Sequence, residues 1–231
     1  MNRVVHMLAA VTALVLAAGC GGSTDPLASA DSGAELVGLF RVTAGRCAGG
    51  QPAGSYFRML QPNGKPEAGP YVINGDSACS DKTVTALRPG RDGGLRTGGY
   101  QPLSSAAFDA GGNGTAAAVV EPQKWFAVAF AISSNEQDPQ TGRRAPVPRV
   151  QLDGTALTGD VSALGASWNG QHFNQGAPKP GGERPGMTVG PTGTYDASTG
   201  AYSLEWSSQI VGGPFNNFTG VWHLEGTFVA A

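Results

Sequence analysis

The chain has few charged residues and no basic excess. Of its 231 residues, 15 are Lys or Arg and 17 are Asp or Glu, which gives a formal net charge of −2 at pH 7. Proteins that bind nucleic acid neutralise its phosphates with clustered Lys and Arg, and this composition does not provide such clusters. We therefore expect no nucleic-acid partner.

The motifs of common enzymes are also missing. The sequence contains no G-x-S-x-G, H-E-x-x-H or S-x-x-K pattern, and no glycine-rich G-x-x-x-x-G-K-[ST] loop that would cradle phosphates. Histidine is scarce, since only His6, His172 and His223 are present. These absences lead us to predict no catalytic residue, no metal site and no cofactor.

The N-terminus has the pattern of an export signal. Arg3 precedes an apolar stretch over 7–18, which is short for a membrane span and has the length of a signal-peptide core. Residues 16–20, LAAGC, resemble the lipobox of bacterial lipoproteins. That resemblance implies cleavage before Cys20 and diacylation of its thiol, although an ordinary signal peptide that ends near a cysteine is the alternative. Several acyl chains hold a protein stably on a bilayer.

This interpretation divides the chain into three segments. Residues 1–19 are the predicted lipoprotein signal peptide, and residues 20–34, which are small, polar and free of aromatics, are a predicted flexible tether. Residues 35–231 are predicted to form a single domain. We expect this domain to be lipid-anchored on the extracytoplasmic face of the cell membrane.

Only two cysteines remain besides Cys20, namely Cys47 and Cys79. An even pair in an exported chain most simply forms a disulfide, which here would close a loop of about 33 residues and stabilise the fold by roughly 3 kcal/mol. A metal-binding pair is the alternative. It lacks the usual spacing, because neither cysteine belongs to a C-x-x-C motif and no histidine lies between them.

Glycine and proline, in contrast, are abundant. The 36 Gly and 16 Pro together make about 23% of the chain, against a usual value of about 12%. Long helices are excluded through most of the sequence, because each Gly or Pro in a helix interior costs about 1 or 3 kcal/mol, respectively. Short alternating segments lie between the glycine and proline clusters, and these favour strands.

The alternation is clearest near the C-terminus. Two segments there, 201–207 and 221–229, each place apolar side chains on one face and polar ones on the other, as is typical of a half-solvated antiparallel sheet. Their inward residues are Tyr202, Leu204, Trp206, Trp222, Leu224 and Phe228.

Weaker patterns predict strands at 35–43, 55–60 and 83–87, with an edge strand around 95–100. Residues 124–133 (KWFAVAFAIS) are apolar on both faces and predict one central, doubly buried strand. We therefore predict an all-β fold, an antiparallel β-sandwich or barrel-like single domain with long Gly/Pro-rich loops.

Three segments of the chain resemble one family. Residues 152–180 (LDGTALTGDVSALGASWNGQHFNQGAPKP) and 193–228 look like the C-terminal region of secreted actinobacterial lipoproteins, and residues 92–102 (DGGLRTGGYQP) are similar to the same group. The family has no assigned activity. The resemblance therefore implies an exported, β-rich envelope lipoprotein and transfers no catalytic residue.

The polar segment SWNGQHFNQG over 167–176 looks like a loop and is our candidate ligand-binding region. An indole face can stack on a sugar ring, and neighbouring amide and imidazole groups can hydrogen-bond its hydroxyls. The alternative is that this tryptophan packs in the core, as we expect of Trp125, Trp206 and Trp222. The predicted binding residues are Trp168, Asn169, Gln171, His172 and Asn174.

Two further groups of residues resemble metal sites, and each also has a purely structural interpretation. His223 and Glu225 share a strand face, with Glu205 on the neighbouring strand. A metal site or an acid–base pair is one interpretation of these three residues, and we favour the other, ordinary polar contacts on a solvated sheet face. Residues 109–114 partly match a calcium loop, but Gly111 stands at a ligand position, so we favour a glycine-rich turn.

These observations favour a lipid-anchored envelope protein that acts by binding or structural interaction, without catalysis. The expected partners are the membrane, through the N-terminal lipid, and a glycan, cell-wall component or envelope protein. The alternative is a secreted hydrolase that uses paired carboxylates in a loop-lined cleft around 165–178. A binding protein requires an accessible polar site, whereas the hydrolase requires two acids across a cleft.

Overall fold

A computed structural model describes residues 33–48 and 51–231. The predicted signal peptide and Cys20 lie outside the described residues, as do all but the last two residues of the predicted tether. Gly33–Ala231 form one compact unit. No helix in the described part of the chain is long and apolar enough to cross a bilayer.

The described residues form antiparallel strands and no helix, which confirms the predicted all-β class. In chain order the strands are β1 (Ala34–Glu35), β2 (Gly38–Val42), β3 (Arg46–Ala48), β4 (Gln51–Ala53), β5 (Tyr56–Lys65), β6 (Gly69–Tyr71), β7 (Thr85–Ala86), β8 (Gly94–Arg96), β9 (Gln123–Trp125), β10 (Val128–Ser134), β11 (Arg149–Asp153), β12 (Ala156–Asp160), β13 (Leu164–Trp168), β14 (Gln171–Asn174), β15 (Val189–Tyr195), β16 (Ala201–Gln209) and β17 (Thr219–Ala230).

The main sheet curls into a half-barrel around the long strand β17. Its order is β1-β11-β12-β15-β16-β17-β2-β8. Strand β16 pairs with one edge of β17, while the other edge is shared, since β5 pairs with residues 219–223 and β2 with residues 226–230. Strands β6 and β7 extend the sheet beyond β5.

A smaller sheet, of order β14-β13-β10-β9, packs on the main one. The Phe130 ring of β10 lies 5.6 Å from Phe57 and 6.3 Å from Trp222, measured between ring centroids, and both partners belong to the main sheet. All three side chains are buried. The hydrophobic core therefore lies between the two sheets.

Two stacked tryptophans form the centre of this core. The rings of Trp206 and Trp222 lie 5.8 Å apart and 8° from parallel. Both indole N–H groups donate to the buried Gln175, one to its backbone oxygen and one to its Oε1, each at 3.0 Å. The predicted inward faces of β16 and β17 are confirmed, since Tyr202 and Leu224 are buried as well.

The prediction of one continuous strand over 124–133 is wrong. Strand β9 ends at Trp125 and β10 begins at Val128, because Phe126 and Ala127 adopt left-handed backbone angles (φ 49° and 63°) and form a hairpin turn. The Ala127 N–H donates to the Asp76 carboxylate at 2.6 Å. The second half of the segment is central in its sheet and buried on both faces, as predicted.

The cysteine pair lies at disulfide distance. The Cα atoms of Cys47 and Cys79 are 5.4 Å apart, within the usual range for a disulfide. Cys79 is buried, and Cys47 lies on the exposed strand β3. The two cysteines are therefore close enough to form the predicted disulfide.

Candidate functional site

The candidate binding segment is a β-hairpin, so its description as a loop is wrong. Strands β13 and β14 pair from Gly165–Asn174 to Trp168–Gln171. Asn169 and Gly170 connect them with φ of 49° and 69°. Left-handed angles at both central residues define the two-residue turn that favours an Asn-Gly sequence. The Asn-Gly pair was the sequence signal for this hairpin.

Trp168 lies at the edge of the core. Its ring is 5.4 Å from Trp125 and 5.6 Å from Phe215, again between centroids. Its indole N–H donates to the backbone oxygens of Trp125 at 2.8 Å and Val128 at 3.1 Å. Trp168 is half-buried and its indole N–H is used inside the protein, so its side chain has no free hydrogen-bond donor for a ligand.

The hairpin does not bring the five predicted residues onto one surface. Its register places Trp168 and Gln171 on one face and His172 and Asn174 on the other. Asn169 and Gln171 are exposed at the tip.

His172 is half-buried on the second face. Its ring packs 5.0 Å from that of Phe108, and its Nδ1 lies 2.9 Å from the Ser167 Oγ. Burial lowers the pKa of His172, against the opposing charge of Asp138.

Asn174, at the other end of the hairpin, joins several segments of the chain. Its buried side-chain amide donates to the Asp138 carboxylate at 3.2 Å and to the Ser162 backbone oxygen at 3.0 Å. Its backbone N–H donates to the Gln140 Oε1 at 2.7 Å. Its own backbone oxygen accepts a hydrogen bond from Lys179. Asn174 is therefore held rigidly, with its oxygens directed toward a lysine.

Lys179 is a buried lysine with only 8% of its surface exposed. Its Nζ donates to the Asn174 backbone oxygen at 2.9 Å and to the Ser208 Oγ at 2.6 Å. No carboxylate of the described residues lies within 4.0 Å of this nitrogen. Burial lowers the pKa of Lys179 to about 7, although the negative charge of Asp138 opposes this effect.

Lys179 and Asn174 line a cavity of about 390 Å³, which we call the Lys179 cavity. This volume falls within the range of small-molecule sites, about 300–1,000 Å³. Two prolines and Val211 form an apolar wall. The polar lining residues are Gln140, Thr141, Arg143, Asn174, Lys179 and Glu183.

The rim of the Lys179 cavity carries an ion pair. The Arg143 Nη1 lies 2.6 Å from the Glu183 Oε1, and both side chains are more than half exposed. Hydrogen bonds with Arg143 lower the pKa of Glu183. Arg143 and Glu183 thus compensate each other, and Lys179 is the remaining charge on the cavity wall.

The predicted juxtaposition of His223 with Glu205 and Glu225 is confirmed. The two imidazole nitrogens contact one carboxylate each, Glu205 at 2.7 Å and Glu225 at 3.2 Å. Tyr56 stacks on the ring at 4.8 Å between centroids. Burial lowers the pKa of His223, but the hydrogen bonds to both carboxylates outweigh burial and raise it.

The arrangement around His223 is a polar contact of the sheet face. Both ring nitrogens are engaged by carboxylates, so neither is directed toward a shared metal position. No group of three His, Cys, Asp or Glu within residues 33–48 and 51–231 has the geometry of a metal site.

The loop at 109–114 is closed by hydrogen bonds to the carboxylate of its first residue, Asp109. Asp109 accepts hydrogen bonds from the backbone N–H groups of Gly111 and Asn113 at 2.8 and 2.9 Å, and from the Asn113 side-chain amide at 2.9 Å. The hydrogen bonds from Asn113 lower the pKa of Asp109. This is the geometry of a glycine-rich turn closed on an aspartate.

Of the residues that line the cavity, Asn174 was predicted from the sequence, whereas Lys179 was not. Lys179 stands between Pro178 and Pro180 in a polar, glycine-containing stretch, which is the usual pattern of an exposed connection. Nothing in that pattern distinguishes a buried lysine from a solvated one.

Comparison with known proteins identifies no similar family, protein or structure. No protein-family model matches the chain, and neither a curated protein nor a solved structure matches it with significant similarity. The resemblance to secreted actinobacterial lipoproteins therefore stays a prediction.

Proposed function

We propose that this chain is a lipid-anchored cell-envelope protein that acts by binding, without catalysis, and that a hydroxyl-rich cell-wall component such as a glycan occupies the Lys179 cavity. The observation that carries the proposal is this cavity of about 390 Å³ and its convergent polar lining. Amide and hydroxyl groups both donate and accept hydrogen bonds, as recognition of sugar hydroxyls requires.

The polar groups of the cavity are fixed before any ligand binds. The Gln140 amide donates to the Val211 backbone oxygen at 2.9 Å while its Oε1 accepts from Asn174. The Thr141 hydroxyl donates to Asp138 at 2.5 Å. A site whose side chains are already ordered loses less conformational entropy on binding, which favours a binding role.

The alternative of a carboxylate-based hydrolase has less support. A glycosidase needs two carboxyl groups on either side of the scissile bond. Glu183 is the carboxylate among the lining residues of the Lys179 cavity, and it is paired with Arg143. The nearby Asp138 is 1% exposed and is engaged by Asn174 and Thr141.

Two observations support the proposed location. The Cys47–Cys79 pair lies at disulfide distance, and such bonds persist in oxidising compartments outside the cytoplasm. The sequence LAAGC at residues 16–20 resembles a lipobox. Incorporation of radiolabelled palmitate that disappears in a Cys20→Ala variant would support the anchor, and incorporation that persists in the variant would refute it.

Binding can be tested with the compact unit Gly33–Ala231, which contains the whole described core. We expect it to bind at least one member of a glycan and cell-wall array. A Val211→Trp variant should abolish that binding, because Val211 lies on the cavity wall with 54% of its surface exposed and a larger side chain would fill the cavity.

Val189→Trp is the matched control, since Val189 is 50% exposed on strand β15 and does not line the cavity. Binding that survives Val211→Trp would exclude the cavity as the site. An array on which nothing binds would refute the proposed function.

A further inference from the structure

We infer that the Lys179 cavity recognises a carboxylate on its ligand, with the Lys179 ammonium as the direct partner of that group. The inference rests on the proposed function and specifies the class of ligand, namely an acidic sugar or another carboxylate-bearing component. It stands on the surroundings of the Lys179 Nζ, which provide hydrogen bonds but no direct counter-charge.

The hydrogen-bond partners of Lys179 are all neutral. They are the backbone oxygen of Asn174 at 2.9 Å, its Oδ1 at 3.4 Å and the Ser208 Oγ at 2.6 Å. A buried ammonium is costly unless it is paired with an opposite charge. These contacts orient the group but do not compensate its charge.

The charged groups around Lys179 do not provide that pair. The buried Asp138 carboxylate accepts hydrogen bonds from the Asn174 side-chain amide and from the backbone N–H and hydroxyl of Thr141. Arg143 and Glu183 pair with each other at the rim. A ligand carboxylate would take the place of the longest of the three contacts of the ammonium, the one to the Asn174 Oδ1 at 3.4 Å, and would give Lys179 the contacting counter-charge that these residues do not provide.

Recognition of a carboxylate by Lys179 would make binding depend on pH. Burial holds the pKa of Lys179 at about 7, and a carboxylate in contact with the ammonium would raise it. Binding above pH 7 should therefore take up a proton, and the affinity should fall as the pH rises further. A site that recognises hydroxyls alone would show neither effect.

The test uses the full chain in mild detergent, labelled with ¹³C-lysine. The chain has four lysines, and the exposed Lys65, Lys82 and Lys124 act as internal controls for the Cε signal of Lys179. The probes are glucuronate, glucose, acetate and inorganic phosphate. We expect glucuronate to raise the titration midpoint of Lys179 by about one pH unit, which corresponds to about tenfold tighter binding to the ammonium than to the amine. Glucose should leave all four midpoints unchanged.

Lys179→Met should weaken glucuronate binding at least about tenfold, whereas Lys65→Met, a change at an exposed lysine, should leave it unchanged. The wild-type titration does not depend on either variant, so the test holds even if Lys179→Met folds poorly.

Each outcome separates this inference from the proposed function. If glucose and glucuronate bind equally and Lys179 does not respond, the carboxylate inference is refuted and glycan binding stands. If acetate raises the Lys179 midpoint while no glycan or cell-wall component binds, carboxylate recognition stands and the proposed function fails. A response to phosphate alone, or to none of the anions, refutes the inference.

Discussion

The buried Lys179 should make this protein more stable as the pH rises above 7. In the folded chain burial lowers its pKa from 10.5 to about 7. In the unfolded chain the lysine keeps its proton to about pH 10.4. Between these values the unfolded state binds one more proton than the folded state, so raising the pH favours folding. Lys179→Met removes this titration while keeping a long, unbranched side chain.

The size of the effect follows from the two pKa values. Their difference corresponds to about 5 kcal/mol over the whole interval and to about 2 kcal/mol between pH 7 and pH 9. Lys179 is almost fully buried, so solvent screening does not reduce this value much. Other groups that titrate in the same range are common to both proteins and cancel in the difference between wild type and variant.

Urea unfolding followed by tryptophan fluorescence measures this difference, because three of the four tryptophans are buried. Between pH 7 and pH 9, the free energy of unfolding of the wild type should rise by about 2 kcal/mol relative to that of Lys179→Met. Lys65→Met, at an exposed position, should follow the wild type. Parallel curves for the wild type and Lys179→Met across this range would refute a depressed lysine pKa.

Three further variants test the core, the disulfide and the sheet face. Gln175→Leu should lower the free energy of unfolding by about 2 kcal/mol, because the buried Trp222 N–H loses its acceptor. Cys79→Ser should lower it by about 3 kcal/mol in the oxidised protein, because the unfolded chain gains entropy. The raised pKa of His223 stabilises the fold below about pH 6.5 and this contribution disappears as the pH rises through the raised value; His223→Gln should remove that dependence, up to about 1 kcal/mol.

Each variant has a control in the same denaturation assay. Gln61→Leu, at an exposed position of β5, should leave stability nearly unchanged, and an equal loss in both glutamine variants would contradict a specific role for Gln175. The reduced wild type should be as unstable as reduced Cys79→Ser; a difference that persists after reduction would show that the serine itself is harmful. Glu205→Gln should also weaken the pH dependence of stability, because the hydrogen bond between Glu205 and His223 helps to raise the His223 pKa.

The class of fold followed from the sequence because it depends on short-range patterns. In β16 and β17 successive side chains point to opposite faces, so Tyr202, Leu204 and Trp206 could be assigned to the core from their spacing alone. The order of the strands could not be predicted in this way. Strand β17 pairs with both β2 and β5 across most of the chain, and no local pattern records which strand is its neighbour.

Turns caused the local errors. The dipeptide Asn169-Gly170 has the composition of a hairpin turn, but its polar surroundings suggested a loop. Phe126-Ala127 has no such composition, because Phe and Ala seldom adopt positive φ. Its turn is supported by a contact with Asp76, about 50 residues earlier in the chain. A signal that depends on so distant a residue is absent from the local sequence.

Lys179 connects the stability of the fold with the proposed site. Its ammonium group bridges the two sheets, because Asn174 belongs to β14 of the smaller sheet and Ser208 to β16 of the main one. A neutral side chain could fill the same space without the cost of a buried charge, and such replacements often stabilise proteins. The fold therefore does not require a cation at this position, whereas the proposed recognition of a ligand carboxylate does. This is why binding and stability should respond to pH in opposite directions above pH 7.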